Sequence, residues 1–167
     1  MFKQALIGIM LAGLCMQPLF ASTKTITIYS ATDAQQSLGT VTFKNSPFGV
    51  LIYPNLKGLP PGLHGFHLHE KPNCGKDGMD AGSHYDPNQT NTHLGPYDKG
   101  HLGDLPVLYV NENGEANIPT LAPRLSMDDL HDISLMIHQG GDNYSDEPPL
   151  GGGGKRIGCG VFNGKDS

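Results

Sequence analysis

The sequence predicts an all-β protein, an antiparallel Greek-key β-sandwich or barrel of about eight strands with two long functional loops. Two observations favour this class. Short segments alternate apolar and β-branched residues with a period of two, and clusters of Gly, Pro and Asn separate them. A third observation is negative, because no window beyond the short SMDDLH segment (126–131) carries apolar residues at helical spacing.

The predicted strands follow one another at regular spacing. In chain order they cover 23–30, 41–43, 48–53, 62–70, 105–110, 116–121, 132–138 and 156–162. Asn45 to Pro47 and the Gly- and Pro-rich run 58–62 mark turns between the early strands. Asn111 to Gly114 form a turn signal between two apolar segments, which predicts a hairpin of 105–110 with 116–121.

Two stretches break the strand pattern. The first loop runs from Lys71 to Asp104 and the second loop from Gln139 to Lys155, and both are filled with Gly, Asn, Asp and Pro. Irregular stretches of this length in a folded domain are usually functional. Because each follows a strand that carries histidine, we expect the loops and strand ends to converge on one site.

The first 21 residues have the layout of a secretory signal peptide. Lys3 precedes an apolar run from Ala5 to Met16, and the small residue Ala21 stands at the expected cleavage point. The apolar run is too short to span a bilayer, so no membrane anchor is expected after cleavage. Residues 22–167 are then expected to form one exported domain. The net charge of −5 and the lack of a basic run argue against nucleic acid as a partner.

The chain contains three cysteines, and the predicted leader removes Cys15. In an oxidising compartment, Cys74 and Cys159 can then form a disulfide bond. Two buried free thiols are the alternative.

The eight histidines provide candidate metal ligands. His67 and His69 are two residues apart, so on a strand both imidazoles project from one face. His84, His93 and His101 with Asp104 make three imidazoles and a carboxylate, a closed set that suits structural zinc. His138 ends an apolar strand and extends the imidazole set, and imidazoles without thiolates suit copper as well as zinc.

Four segments together resemble the copper/zinc superoxide dismutases, in particular the bacterial periplasmic branch. They are GLHGFHLHE (62–70), the loop from Cys74 to Asp104, MIHQGGDNYSD (136–146) and GGGGKRIGCGVF (151–162). The family's reaction is the dismutation of superoxide to oxygen and hydrogen peroxide by a redox-cycling copper, which a histidine links to a structural zinc. The resemblance also implies a homodimer, with one copper ion and one zinc ion in each subunit.

The resemblance also assigns residues. It implies copper ligands His67, His69, His84 and His138, and zinc ligands His84, His93, His101 and Asp104, so that His84 bridges the two metals and takes part in catalysis. Arg156 matches the arginine that holds superoxide beside copper. Asp142 matches a carboxylate that accepts hydrogen bonds from His67 and His93, and His64 matches a histidine that hydrogen-bonds backbone beneath the site.

Two other functions remain open from the residues alone. A zinc hydrolase needs an open coordination position on its metal, which a set of three histidines and an aspartate does not leave. A non-catalytic copper- or zinc-binding module would share the ligands, but it would have no need of Arg156.

Overall fold

Nine antiparallel strands and three short 3-10 helices make up the part of the chain that the computed structural model describes, residues 22–164. The predicted leader, 1–21, lies outside the described residues. The strands are β1 Thr23–Ser30, β2 Ser37–Ser46, β3 Gly49–Leu56, β4 Gly62–His64, β5 Phe66–His69, β6 Leu108–Val110, β7 Thr120–Ala122, β8 Ile133–His138 and β9 Arg156–Phe162. The 3-10 helices are Met79–Ala81, Met127–Asp129 and Pro149–Gly152.

Seven strands form one curled sheet in the order β5-β8-β9-β1-β2-β3-β7, and β4 pairs with β6 in a second, two-stranded sheet. Every strand pair is antiparallel. The predicted all-β, antiparallel fold is therefore confirmed. Between residues 22 and 164 no helix is long and apolar enough to cross a membrane.

The core lies on the concave face of the curled sheet, where the period-two pattern places its apolar side chains. On β3, Val50 and Ile52 are fully buried, while Leu51 between them is half-buried. Phe43 of β2 meets Phe162 of β9 edge to face, with ring centroids 5.1 Å apart. This contact joins strands that are distant in sequence and lie on either side of β1 in the sheet.

Strand β8 departs from alternation because all six of its residues are buried. Ile133, Leu135 and Ile137 belong to the main core. The other face carries Met136, which packs in a separate cluster with Cys159 and Ala81 of the first loop. A loop thus covers the outer face of this strand, and His138 at its end is enclosed as well.

The predicted hairpin of 105–110 with 116–121 is wrong. The turn itself forms, since Asn111 N donates to Glu115 O and Gly114 N donates to Asn111 O. The flanking strands then separate, because β6 pairs with β4 and β7 pairs with β3. Each of these strands pairs with a strand that is distant in sequence instead of with its neighbour across the turn. This pairing buries Leu108, Val110 and Ala122.

Candidate metal centre

Strand β5 presents His67 and His69 on one face, and both side chains are fully buried. The single predicted strand 62–70 is split at Gly65 into β4 and β5. A Cβ atom at Gly65 would lie 3.1 Å from the His67 ring and 3.3 Å from His138 Cβ. The glycine therefore lets the end of β8 pack closely against the start of β5.

The first loop is held against β5 by backbone hydrogen bonds. Leu68 N donates to Gly103 O, and Tyr85 N donates to Leu68 O. These bonds align His69 with His84 and His67 with Asp104 as isolated bridge partners. Residues from both ends of the loop therefore reach the histidines of the sheet.

This arrangement creates two groups of potential ligands that share His84, and within each group the candidate ligand atoms lie within 4.8 Å of one another. The four-histidine cluster consists of His67, His69, His84 and His138. The aspartate cluster consists of His84, His93, His101 and Asp104. Each of these side chains is buried, and the structure therefore brings together every ligand that the sequence proposed.

The donor atoms of both clusters fit metal ions. His67 Nδ1, His69 Nε2, His84 Nε2 and His138 Nε2 are buried without a hydrogen-bond partner, as are His93 Nδ1, His101 Nδ1 and Asp104 Oδ2. Buried polar atoms are normally satisfied, and a convergent set without hydrogen-bond partners is typical of a site that binds a cation. The shared residue His84 directs Nε2 to the four-histidine cluster, while its Nδ1 lies 2.9 Å from Asp104 Oδ1.

Spacing in the aspartate cluster also suits a small tetrahedral ion. Asp104 Oδ1 lies 2.9 Å from His84 Nδ1, 2.9 Å from His93 Nδ1 and 3.4 Å from His101 Nδ1. Ligand atoms at the corners of a tetrahedron with zinc bonds of about 2.0 Å are about 3.3 Å apart. Only slight expansion of the cluster would accommodate the ion.

Asp142, in the second loop, links the two clusters. Its side chain is fully buried and accepts hydrogen bonds from His67 Nε2 at 2.5 Å and His93 Nε2 at 2.7 Å. In each bond the ring donates its Nε2–H to the carboxylate, so that Nδ1 is the nitrogen available as a metal ligand. The structure therefore puts Asp142 where the resemblance expects it.

Burial sets the protonation of the four-histidine cluster. It lowers the pKa of His67 to about 3 and that of His138 to about 4, and it also lowers the pKa values of His69 and His84. Neutral imidazole is the form that binds metal, so these four rings are ready to act as ligands at neutral pH.

The aspartate cluster is electrostatically different. Burial opposes charge on His93, but the carboxylates of Asp104 and Asp142 outweigh burial and raise its pKa to about 9. Burial likewise disfavours charge on the two carboxyls, yet the neighbouring histidines hold the pKa values of Asp104 and Asp142 well below their usual range. A metal ion that binds here must displace a proton from His93.

His64 and Arg156 flank the four-histidine cluster. The ring of His64 lies between the carbonyl oxygens of His138 and Pro60, at 2.7 and 2.8 Å. Arg156 is half-buried and donates to Gly78 O at 2.5 Å and Gly82 O at 2.7 Å. Its positive charge adds to the effect of burial in lowering the pKa values of His69 and His138.

Cys74 and Cys159 form a disulfide bond, as predicted. The bond attaches the start of the first loop to β9, three residues after Arg156. The loop carbonyls that hold Arg156 are thereby tied to the strand that carries it.

The glycine run of the second loop lets the loop backbone pack closely against the metal-ligand clusters. Gly151 has a φ of +73°, and a Cβ atom there would lie 2.0 Å from Asp142 Oδ1. At Gly153 a Cβ atom would lie 2.9 Å from His138 Cβ. The backbone therefore covers Asp142 and His138 at distances that only glycine allows.

Three residues that support the centre were not predicted. Asp146 accepts hydrogen bonds from His93 N at 3.1 and 3.2 Å, and the Tyr144 ring packs on Gly95. Arg124 donates to several carbonyl oxygens of the first loop. Their partners are mostly backbone atoms at distant positions, and no spacing in the sequence signals such contacts.

Comparison with known proteins agrees with this geometry. The family model described as copper/zinc superoxide dismutase (SODC) matches residues 37–162. A Legionella pneumophila protein named superoxide dismutase [Cu-Zn] is 56% identical over 157 residues, which cover 93% of this chain and 97% of the relative.

Two solved structures share the fold. Cu/Zn superoxide dismutase from Brucella abortus superposes with a TM-score of 0.79 at 44% identity, covering 84% of this chain and 99% of that one. The monomeric copper, zinc superoxide dismutase from Salmonella enterica superposes with a TM-score of 0.72 at 47% identity, with the same coverage of each chain.

Proposed function

Because the chain belongs to the copper/zinc superoxide dismutase family and is an oxidoreductase that dismutates superoxide with copper and zinc, we propose how its own residues divide that work. The four-histidine cluster holds copper and the aspartate cluster holds zinc. The observation that carries this assignment is the convergence of unpartnered, buried donor atoms on two points that share His84.

The donor sets distinguish the two metals. Imidazoles alone suit both oxidation states of copper, whereas three imidazoles and a carboxylate make a closed set for structural zinc. Bound copper supplies one-electron exchange with superoxide, and bound zinc supplies no redox chemistry. The remaining steps depend on residues of this chain.

His84 is the residue that can move a proton. Its Nδ1 faces the aspartate cluster and its unpartnered Nε2 faces the four-histidine cluster. A ring anchored through Nδ1 can accept a proton at Nε2 and return it to the reduced substrate. His84→Ala removes both functions, so turnover of the zinc-loaded variant is expected to fall sharply, and unchanged turnover would reject this role.

Arg156 binds the anionic substrate. Its two carbonyl partners orient the guanidinium without neutralising its charge, so a cation remains beside the four-histidine cluster. A permanent cation in a half-buried position attracts and holds a small anion. A metal-storage module has no use for such a group, which is why the non-catalytic alternative is not favoured.

We also propose that residues 1–21 are a signal peptide and that the mature protein acts in the periplasm, where it protects the cell envelope from superoxide. The bacterial relatives and the disulfide bond support export. The N-terminus of the exported protein should be Ser22, and an exported protein that still begins at Met1 would contradict the proposal.

A homodimer is proposed as the assembly of the mature protein. Leu63 and Tyr109 face each other across β4 and β6 and are 55% and 45% exposed, so this pair is the first place to test for a contact between copies. Light scattering should give twice the subunit mass, whereas a subunit mass would place the protein with its monomeric Salmonella relative.

Metal depletion and reconstitution test the division of work between the clusters. Protein stripped with chelator and reloaded with zinc alone should be inactive, and added copper should restore dismutation. His69→Ala should prevent the recovery because it removes a ligand of the four-histidine cluster only, while Asp128→Asn, an exposed carboxyl, is the control. Full recovery in His69→Ala would contradict the copper assignment.

A further inference from the structure

Arg124 holds the first loop through hydrogen bonds to its backbone. It lies in the turn that follows β7, and β7 is anchored by pairing with β3, where Ala122 faces Val50. Neither β3 nor β7 contributes a residue to the clusters. Arg124 is therefore fixed by the sheet and independent of the metal ligands.

Its guanidinium donates four hydrogen bonds to the loop backbone. The Nε atom donates to Pro96 O at 3.0 Å, Nη1 donates to Gly100 O at 3.0 Å, and Nη2 donates to Gly95 O at 3.0 Å and His101 O at 2.5 Å. Across residues 22–164, no carboxylate forms an ion pair with Arg124. Four of the five N–H groups of the guanidinium therefore bind one ten-residue segment.

Side chains of the second loop also contact that segment, 92–101, since Asp146 and Asp142 bind His93 and the Tyr144 ring packs on Gly95. Arg124 makes more hydrogen bonds to its carbonyl groups than any of them. The segment contains no strand or helix, and its ends meet through one bond from His101 N to Thr92 O at 2.9 Å. The four residues whose carbonyls bind Arg124 are nevertheless buried. Buried carbonyl groups need partners, and the guanidinium supplies them, so it stabilises this conformation of the segment.

His93 and His101 lie within this segment, and Arg124 binds the His101 carbonyl directly. By contrast, His67 and His69 lie on β5 and His138 lies on β8, where sheet pairing fixes them. We propose that Arg124 is a positioning residue that preorganises the aspartate cluster, so that it strengthens zinc binding and slows zinc release without a comparable effect on copper. This inference rests on the ligand sets proposed above.

The test compares Arg124→Gln, which removes the cation, with Arg124→Lys, which keeps it. A lysine ammonium is a single point of donors and cannot reach four carbonyls that a planar guanidinium spans. We expect both variants to release zinc to an excess of chelator about 10–100 times faster than the parent protein, the usual effect of losing a group that orients metal ligands. The rate of copper release should stay within about twofold of that of the parent protein.

Ile52→Val is the matched control, because Ile52 is a fully buried β3 residue that lies outside the loop. It lowers stability through the core alone. Zinc release that accelerates equally in Ile52→Val would show a general stability effect and would overturn the proposal. Release at the parent rate in both Arg124 variants would overturn it as well.

A second readout does not involve metal loading. In metal-free protein, hydrogen exchange at the His101 amide should accelerate in Arg124→Gln, while amides of β3 should keep their protection. An unchanged His101 amide would contradict the proposal. His101→Ala separates this inference from the ligand assignment, since zinc release that is unaffected by His101→Ala would refute the proposed zinc ligands themselves.

Discussion

Replacing Asp142 by asparagine tests how the two metal sites are coupled. Asparagine has nearly the same shape, but its side chain offers one acceptor oxygen and one amide donor. Asp142 Oδ2 accepts a hydrogen bond from His67 Nε2 at 2.5 Å, and Oδ1 accepts from His93 Nε2 at 2.7 Å and from Tyr144 N at 2.8 Å. In the variant one ring N–H must face an NH₂ group, so one ligand loses its orientation.

The structure indicates the size of the effect. A hydrogen bond to a charged group contributes about 1.5–3 kcal/mol, and this carboxylate is completely enclosed, with an exposed side-chain fraction of 0%. Loss of one such bond corresponds to about a 10- to 100-fold decrease in metal affinity, as is usual for groups that orient ligands. We expect zinc to be affected more than copper, because His93 lies on a loop whereas His67 is paired in β5.

Competition with a chromogenic chelator measures both affinities, with Asp128→Asn as the control for loss of a carboxylate charge. Zinc and copper affinities that both stay within about twofold of the parent values would refute the coupling role of Asp142.

Three further predictions concern charge, pH and backbone. Arg156→Glu should lower the dismutation rate about 10- to 1000-fold while the metal content stays normal. Lys57→Glu makes the same charge change at an exposed ion pair and should leave the rate unchanged. Equal dismutation rates in the two variants would refute substrate binding by Arg156. The pKa of His93 is raised to about 9, so zinc must displace a proton from this ring when it binds below that pH. Zinc affinity should therefore rise by about tenfold per pH unit from pH 7 towards pH 9. A zinc affinity that does not change with pH would contradict the assignment of His93 as a ligand. Gly154→Ala should lower the free energy of unfolding by about 1–2 kcal/mol, because this glycine has left-handed backbone with φ of +69°. Gly151→Ala should lower it further, because that residue has a φ of +73° and its new Cβ would also lie 2.0 Å from Asp142 Oδ1. Only Gly151→Ala should also weaken zinc binding, because its Cβ meets the Asp142 carboxylate, whereas a Cβ at Gly154 meets nothing within 4 Å. Equal zinc affinity in the two variants would count against a clash with Asp142.

The sequence predicted the strands best where local pattern and final environment agree. Strand β9 begins at Arg156 and ends at Phe162, as expected from its apolar run. Period-two patterning fails for β6 and β7, since a turn signal at Asn111 to Gly114 cannot reveal that each neighbouring strand has a more distant partner. Pairing between residues that are 44 to 72 positions apart leaves no signal in the local sequence.

The histidines and Asp104 were predictable because metal ligands must be of particular residue types, and those types are rare enough to stand out. Arg124 and Asp146 belong to a different class. They bind main-chain atoms of the first loop, and any residue could supply those atoms. Only the folded backbone shows that the loop depends on them.

The assignment of copper to the four-histidine cluster and zinc to the aspartate cluster is tested most directly by anomalous X-ray diffraction from crystals of the metal-loaded protein. Data collected on either side of the copper and zinc absorption edges identify each ion by element. We predict a copper peak among His67, His69, His84 and His138, and a zinc peak among His84, His93, His101 and Asp104, with His84 between them. Exchanged elements, or a copper peak away from His138, would contradict the account.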